Sequence, residues 1–351
     1  MTLTAAADRP AAPHRARPAG LRRRRTLGLA LVVAGLAVAV VASLAFGARV
    51  VAWPDVVAGV LHPDPDDIAQ AAVGSRVART VLGLLVGAAL GVGGAVLQGL
   101  TRNPLADPAL LGISSGASLA VVLGIMLLGL TSLTQYVWMA FLGAALASVL
   151  VYAIGSLGRE GATPLKLALA GAATTAALGS GVSMVLLSRT DVLDTFRFWQ
   201  VGSLGRASLP EIAQVVPFLL VGAVLAVGSA RGMDALALGD DVAVGLGQRI
   251  GLVRGAGALA AVLLCGTAVA LAGPIGFIGL VVPHLARVFT GPGHRWLLPY
   301  SAGLGAALLL AADVVGRVVA RPQEVEVGIV TAVIGAPVFI AIIRRRKVRE
   351  L

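Results

Sequence analysis

Long apolar runs alternate with short polar segments along most of the chain, and this alternation predicts a bundle of membrane-spanning helices. An apolar helix needs about 20 residues to cross the hydrocarbon core of a bilayer. Runs of roughly this kind occur at residues 27–50, 77–99, 109–129, 133–156, 164–188, 209–229, 251–273, 276–290, 297–316 and 327–343. The eighth is the shortest and is interrupted by glycine and proline. The pattern predicts an all-α polytopic membrane protein with about ten transmembrane helices.

Composition supports the same class. The 351 residues are 58% hydrophobic and only 13% charged, and the mean hydropathy is +0.92. A soluble domain of this length needs far more polar surface. The short alternating strands of an outer-membrane barrel are not evident in the pattern.

Basic residues flank the apolar region on both sides and predict its orientation. Arg22–Arg25 precede the first run, and Arg344–Lys347 follow the last. Because Lys and Arg beside spans are retained in the cytoplasm, both termini are expected there, which requires an even number of spans. Residues 1–25 are expected to be a disordered basic tail, 26–343 the transmembrane domain, and 344–351 a second basic tail.

The remaining global features exclude several classes. The formal charge of +11 is concentrated near the tails, where membrane topology and anionic lipid explain it, so nucleic-acid binding is not expected. An uncleaved first span is favoured over a signal peptide because its apolar stretch is long. Cys265 is the single cysteine and lies in an apolar run, so neither a disulfide within the chain nor a metal site is expected.

Two polar blocks interrupt the apolar sequence. The first covers Thr101–Pro108, where Asn103-Pro104 and Asp107-Pro108 favour turns. The second covers Gly273–Arg287 and contains the word Pro283-His284-Leu285-Ala286-Arg287. A lone His284 near a span end is more often structural than a ligand for metal or haem.

An ordered series of residues around the first block resembles one family. The series contains an Arg-x-x-Arg-Thr word and continues through the polar block to Gly124, with matches at Arg76, Arg79, Thr80, Gln98, Asn103, Pro104, Leu105, Pro108, Gly112 and Ser114. The chain resembles the FecCD-type permease subunits of bacterial ABC importers for iron–siderophores, haem and cobalamin. This resemblance implies the type II importer permease fold over residues 26–343, in the bacterial cytoplasmic membrane.

The resemblance also implies partners. The chain contains no Gly-x-x-x-x-Gly-Lys-Ser/Thr phosphate loop, so it is not expected to be an enzyme or to hold a cofactor of its own. ATP and Mg²⁺ would be bound by two partner ABC ATPase subunits. A second permease subunit, identical or paralogous, would complete the path, membrane lipid would surround the pair, and an external binding protein would deliver the substrate.

Arg76, Arg79 and Arg317 are expected to dock that binding protein. On the predicted topology they lie at the outer surface, against the usual distribution of basic residues. By resemblance they would meet carboxylates of the binding protein. The alternative is that they extend toward lipid headgroups.

Two cytoplasmic segments are assigned roles by the resemblance. Asn103 and Leu105 are expected to form a cytoplasmic gate. Residues 233–247 are expected to contact the ATPase as a coupling segment. Its candidate residues are Leu236, Gly239, Asp240, Val242, Gly245 and Leu246. The alternative is a solvated amphipathic loop on the inner leaflet.

The resemblance favours a ferric siderophore as cargo, with cobalamin or haem as alternatives. A proton-coupled secondary transporter is a rival from another class, and a membrane scaffold without transport activity is a third. Ion-coupled transporters usually keep acidic or histidine residues at membrane depth. Asp313 is the main candidate here, and it lies near a span end.

Overall fold

The computed structural model describes residues 19–62, 64, 66–157, 163–206 and 208–347. Within these ranges the chain forms helices and one 3-10 turn at Pro108–Leu111. The helices are α1 (Ala19–Ala45), α2 (Trp53–Leu61), α3 (Ile68–Leu100), α4 (Ile113–Leu128), α5 (Leu133–Gly155), α6 (Pro164–Ser188), α7 (Thr190–Gln200), α8 (Leu209–Leu236), α9 (Asp240–Gly245), α10 (Ile250–Ala272), α11 (Ile278–Thr290), α12 (His294–Val319) and α13 (Val327–Lys347).

The predicted all-α membrane architecture is confirmed, and the number of spans agrees approximately. Among the described residues, α1, α3, α5, α6, α8, α10 and α12 are long and apolar enough to cross a membrane. The shorter apolar helices α4, α11 and α13 correspond to the other three predicted spans. With 13 residues, α11 is about 20 Å long, which is less than the hydrocarbon thickness.

The first helix begins earlier and ends earlier than the pattern predicted. Residues 19–25, assigned above to a disordered tail, form the start of α1. Arg25 explains part of this order, because its Nη2 donates to the carbonyl oxygen of Thr290 at 2.8 Å and its guanidinium lies 5.7 Å from the Trp296 ring centroid. Residues 1–18 and 348–351 of the two expected tails lie outside the described residues.

The 33-residue helix α3 lies at the centre of the bundle and packs against α12, α10 and α11. Glycines permit this packing. A Cβ atom at Gly87 would lie 2.5 Å from the carbonyl oxygen of Gly305, and one at Gly91 would lie 2.2 Å from that of Ser301. Close approach of helix backbones is a common way to associate helices in lipid.

The bundle has two polar ends. At the basic end, α1 and α12 begin and α8 and α11 finish; here His294 Nδ1 lies 2.6 Å from Asp234 Oδ1. At the distal end, α1 and α12 finish and α13 begins; here Arg317 Nη1 donates to the carbonyl oxygen of Ser43 at 3.0 Å. The candidate functional residues divide between these ends.

Candidate functional site

The second polar block packs inside the bundle against the end of α3, just before the first polar block begins. A Cβ atom at Gly94 would lie 1.9 Å from the carbonyl oxygen of Gly279, so α3 and α11 are in backbone contact. Gln98 Nε2 donates to the carbonyl oxygens of Gly279 and Leu280 at 3.3 and 3.2 Å. Gln98 Oε1 accepts from Arg287 Nη1 at 2.5 Å. The last turns of α3 are thereby fixed to the short helix α11.

The segment after α3 is a compact turn at the basic end. Asn103 Oδ1 accepts from the backbone N–H of Leu105 at 2.9 Å, and the Ala106 N–H donates to the Asn103 carbonyl oxygen at 3.1 Å. Ala106 is fully buried, whereas Leu105 is 42% exposed. Of the two expected gate residues, Asn103 therefore holds the turn and Leu105 offers an exposed apolar side chain.

The expected coupling segment has a small apolar cluster of its own, distinct from the main core of the bundle. The helix breaks at Gly239, which has φ +113°, and α9 follows it. Leu236 and Ala243 are buried together with Ala235, and Ile250 and Val253 pack against them. Leu236 was expected to contact a partner, but it anchors α9 to the end of α8 within the chain.

Other apolar residues of this unit are exposed. Val242 is 47% exposed and Leu246 60% exposed, as their expected role requires, and Gly245 beside them is also exposed. Leu238 and Val244 are 65% and 59% exposed and were not selected from the sequence. A six-residue helix is too short for its buried face to be recognised from apolar periodicity.

Asp240 connects the coupling segment to two other parts of the chain. Its carboxylate is bound by the guanidinium of Arg102, and Arg254 Nη2 donates to its Oδ2 at 3.0 Å. The side chains of Arg102 and Asp240 are 34% and 41% exposed, and that of Arg254 is 19% exposed. Asp240 was expected in the coupling segment, but its two arginine partners were not expected. Arg102 lies 138 residues and Arg254 14 residues away along the chain, so neither pairing carries a local signal.

The three arginines expected to dock a binding protein are buried at the distal end. Arg76, Arg79 and Arg317 are 5%, 9% and 1% exposed. Arg79 Nη2 and Arg317 Nη2 bind the two oxygens of Asp313 at 2.7 and 2.9 Å. Arg79 Nη1 also binds Glu324 at 2.6 Å. This burial argues against direct contact between these guanidinium groups and another protein.

Arg76 satisfies the end of another helix. Its Nη1 donates to the carbonyl oxygens of Leu44 and Ala45 at 3.0 and 2.9 Å, and its Nη2 donates to that of Arg49 at 2.6 Å. The last carbonyl groups of a helix have no partner within it, so Arg76 acts as a cap for α1. The predicted span began at residue 77, just after Arg76, whereas α3 begins at Ile68. Arg76 therefore lies within the helix and not at its outer end.

Small residues make up the middle of the exposed face of α6, whereas Leu165, Leu169, Met184 and Leu187 are exposed toward its two ends. The most apolar window of α6 is 28% buried, compared with 72% for that of α3. Its exposed positions include Ala172, Ala173, Ala176, Ala177, Ser180 and Ser183. Lipid-facing helices usually carry larger apolar side chains, whereas small residues favour contact with further protein.

No group of three or more His, Cys, Asp or Glu side chains that could hold a metal ion occurs within the described ranges. His284 is partly exposed on α11. Cys265 is fully buried beside Gly93. None of these residues adds a metal site to the two polar ends.

Comparison with known proteins gives the same architecture. The ferric enterobactin permease FepD of Escherichia coli is 47% identical over 273 residues, covering 78% of this chain and 81% of FepD. The hemin permease HmuU of Yersinia pestis is 40% identical over 277 residues, covering 78% and 82%. A metal-chelate type ABC transporter solved in an inward-facing conformation superposes with a TM-score of 0.79 at 26% identity, covering 91% of this chain and 99% of that one.

The family model covers almost all of the helical bundle. It matches residues 35–345, from within α1 to the end region of α13. The chain therefore belongs to the FecCD transport family and is a membrane transport permease.

Proposed function

We propose that this chain is the permease subunit of an ABC importer that moves a ferric siderophore across the bacterial cytoplasmic membrane. Two partner ATPase subunits bind ATP and Mg²⁺, and an external binding protein supplies the cargo. Both termini and the coupling segment face the cytoplasm in this proposal. The observation that carries it is the exposed apolar surface of the coupling segment at the basic end of a multi-pass bundle.

That surface fits a protein partner. Leu238, Val242, Val244 and Leu246 are all more than two-fifths exposed and lie within nine residues of one another. The buried pair Leu236 and Ala243 holds the segment to the bundle while leaving this face open. A short helix presenting apolar residues is suited to a groove on another protein. Aspartates at 240 and 241 make deep insertion into lipid costly.

The cargo is proposed from the compounds for which related permeases are named. FepD is named for ferric enterobactin and HmuU for hemin, so a ferric siderophore is the first candidate and haem the second. Cobalamin is a further alternative. Selectivity in such a system would reside mainly in the binding protein.

A second permease subunit is proposed to pack against this one with the α6 face at the interface. The exposed alanines and serines of α6 allow close approach of another helix bundle and leave space for a passage. Leu105, exposed at the basic end, would narrow that passage toward the cytoplasm, and Asn103 would hold the turn that presents it.

Docking of the binding protein is proposed at the distal end with a revised set of residues. Arg76, Arg79 and Arg317 support the surface from inside, because their guanidinium groups are already bound within the chain. Arg49 and Arg321 are exposed near them, and Arg321 Nε donates to the carbonyl oxygen of Gly47 at 3.0 Å. These exposed arginines are the proposed contacts for carboxylates of the binding protein.

Proton-coupled transport is less well supported. Asp313 was the acidic candidate within a span, and it lies fully buried near the distal end of α12. Both of its oxygens are occupied by arginines, so it is a poor proton carrier. A relay needs a carboxylate that can accept and release a proton.

Purification of the tagged chain from its own host, followed by mass spectrometry of co-purifying proteins, tests the proposal. An ATPase and an external binding protein should be recovered, and the reconstituted complex should take up ⁵⁵Fe-labelled siderophore only with ATP. Uptake by the chain alone, driven by a proton gradient and abolished by a protonophore, would instead establish secondary transport.

A further inference from the structure

Three segments that are distant in sequence meet at Asp240. Arg102 lies in the turn that contains Asn103 and Leu105, Asp240 is the first residue of α9, and Arg254 is in the first turns of α10. Arg254 Nη2 donates to both oxygens of the carboxylate, at 3.3 and 3.0 Å. The coupling segment is therefore joined by ion pairs to the turn that presents Leu105.

We infer that this Arg102–Asp240–Arg254 cluster transmits movement of the coupling segment to the Asn103–Leu105 turn. The inference rests on the proposed function, since it requires an ATPase that moves α9. Asp240 is a positioning residue in this account, because it touches neither cargo nor nucleotide. Asp240 fixes the position of the turn through its ion pair with Arg102.

Two kinds of contact hold α9, apolar packing and ion pairs, and they have different roles in this account. Ala243 and Leu236 anchor α9 to α8 by apolar packing, which is independent of charge. Asp240, the first residue of α9, carries the ion pairs to the turn and to α10. Removing the charge at Asp240 should therefore leave the segment folded and release the turn.

The ion pairs of the cluster are weak enough to break and form again when the turn changes conformation. Partly exposed ion pairs contribute little free energy, so they exchange partners readily. Arg102 has φ +49°, a left-handed backbone that a residue other than glycine adopts only at some cost. The ion pair with Asp240 helps to hold the turn in this conformation, and its release would favour a different one.

A thiol at position 105 reports on the turn without requiring knowledge of the cargo. The chain with Leu105→Cys, purified with its ATPase, is labelled with a membrane-impermeant maleimide, with and without ATP and vanadate. Cys265 is fully buried, and labelling of the chain without the substitution gives the background. ATP is expected to change the labelling rate by about fivefold or more, the lower range of allosteric coupling.

Arg102→Asn and Asp240→Asn test the cluster in this background. Asparagine tolerates the left-handed backbone at 102 and is close in shape to aspartate at 240. In both variants ATP hydrolysis should persist while the labelling rate no longer responds to ATP. The double variant should be no worse than Asp240→Asn alone, because Asp240→Asn already removes the ion pair with Arg102. Asp240→Glu should restore part of the response, and the exposed neighbour Asp241→Asn serves as the matched control.

The outcomes separate the inference from the proposed function. An ATP response that is unchanged in Arg102→Asn and Asp240→Asn would overturn the link and leave the importer proposal intact. Loss of the ATPase from these variants during purification would show that the cluster acts in ATPase docking, and it would also overturn the link. Absence of any ATP response in the parent chain would overturn both the link and the proposed coupling role.

Discussion

The two polar ends of the bundle each contain one aspartate bound by two arginines, yet the two clusters differ in burial. At the distal end Asp313 is 0% exposed and Arg317 is 1% exposed. At the basic end the side chains of Asp240 and Arg102 are 41% and 34% exposed. The same kinds of charge are therefore buried away from water at the distal end and partly hydrated at the basic end.

This difference assigns different tasks to similar groups. A buried charge that loses its partner retains the full cost of desolvation, so the distal cluster is expected to lock α1, α3 and α12 together. A hydrated ion pair can open at little cost, because water replaces the lost contacts. The distal end is therefore suited to rigidity and the basic end to motion.

The largest expected effect is at Asp313. Asp313→Asn removes the carboxylate that Arg79 and Arg317 share. Arg79 keeps its ion pair with Glu324, but the buried charge of Arg317 loses its carboxylate partner, so the free energy of unfolding should fall by about 3–5 kcal/mol. The measurement is the temperature at which the detergent-solubilised chain loses its monodisperse size-exclusion peak. Asp191→Asn, which breaks the exposed pair with Arg189, is the control and should leave this temperature unchanged. Equal effects in the two variants would contradict the proposed lock.

The next effect is on assembly at the basic end. Leu246→Asp places a charge on the exposed apolar face of the coupling segment, and the affinity for the ATPase should fall about tenfold or more, as for an interface hot spot. Quantitative pull-down of the ATPase by the tagged chain measures this change. Leu61→Asp is a matched control, since Leu61 on α2 is 64% exposed but lies away from the coupling segment. Unaltered recovery of the ATPase with Leu246→Asp would refute this contact.

Asp240→Asn gives the sharpest contrast with Asp313→Asn. Because its ion pairs are partly exposed, the free energy of unfolding should change by less than about 1 kcal/mol. Transport per ATP hydrolysed should nevertheless fall in reconstituted vesicles. A loss of thermal stability as large as that of Asp313→Asn would show that the two clusters do not differ as proposed.

The smallest effect is expected at the distal surface. Arg321→Glu should slow association of the binding protein by severalfold at low salt, since exposed charges act mainly on the association rate. Biosensor kinetics at low salt and at 1 M salt measure this, because the Debye length falls to about 3 Å in 1 M salt. If the slowing is equally large in 1 M salt, or absent at both, Arg321 does not act through charge in docking.

The sequence was most informative where residues act locally. The length and apolarity of the runs predicted the spanning helices, and the Asn103-Pro104 word predicted a turn that the Asn103 side chain closes. Gly87 and Gly91 also lie in an apolar run, and small residues within a span are typical of the close helix packing that the structure shows there.

Sequence reasoning failed where a charge has a distant partner. Arg76, Arg79 and Arg317 were placed at the outer surface by the predicted topology. They were expected to dock a binding protein because of the family resemblance and because basic residues are unusual on that side of a membrane protein. Their partners are the end of α1, Asp313 and Ser43, and none of these can be recognised from spacing except Asp313, four residues before Arg317. The same limit concealed the arginines that bind Asp240.

The sequence by itself determined that this chain is a helical membrane protein, because span length and turn chemistry are properties of neighbouring residues, and its resemblance to one family indicated a permease. Only the tertiary structure decided which charges are buried and which are exposed. Burial depends on helices that meet across more than 200 residues of chain, as for Arg79 and Asp313. Since burial sets the cost of separating an ion pair, the tertiary structure also decided which end is rigid and which can move.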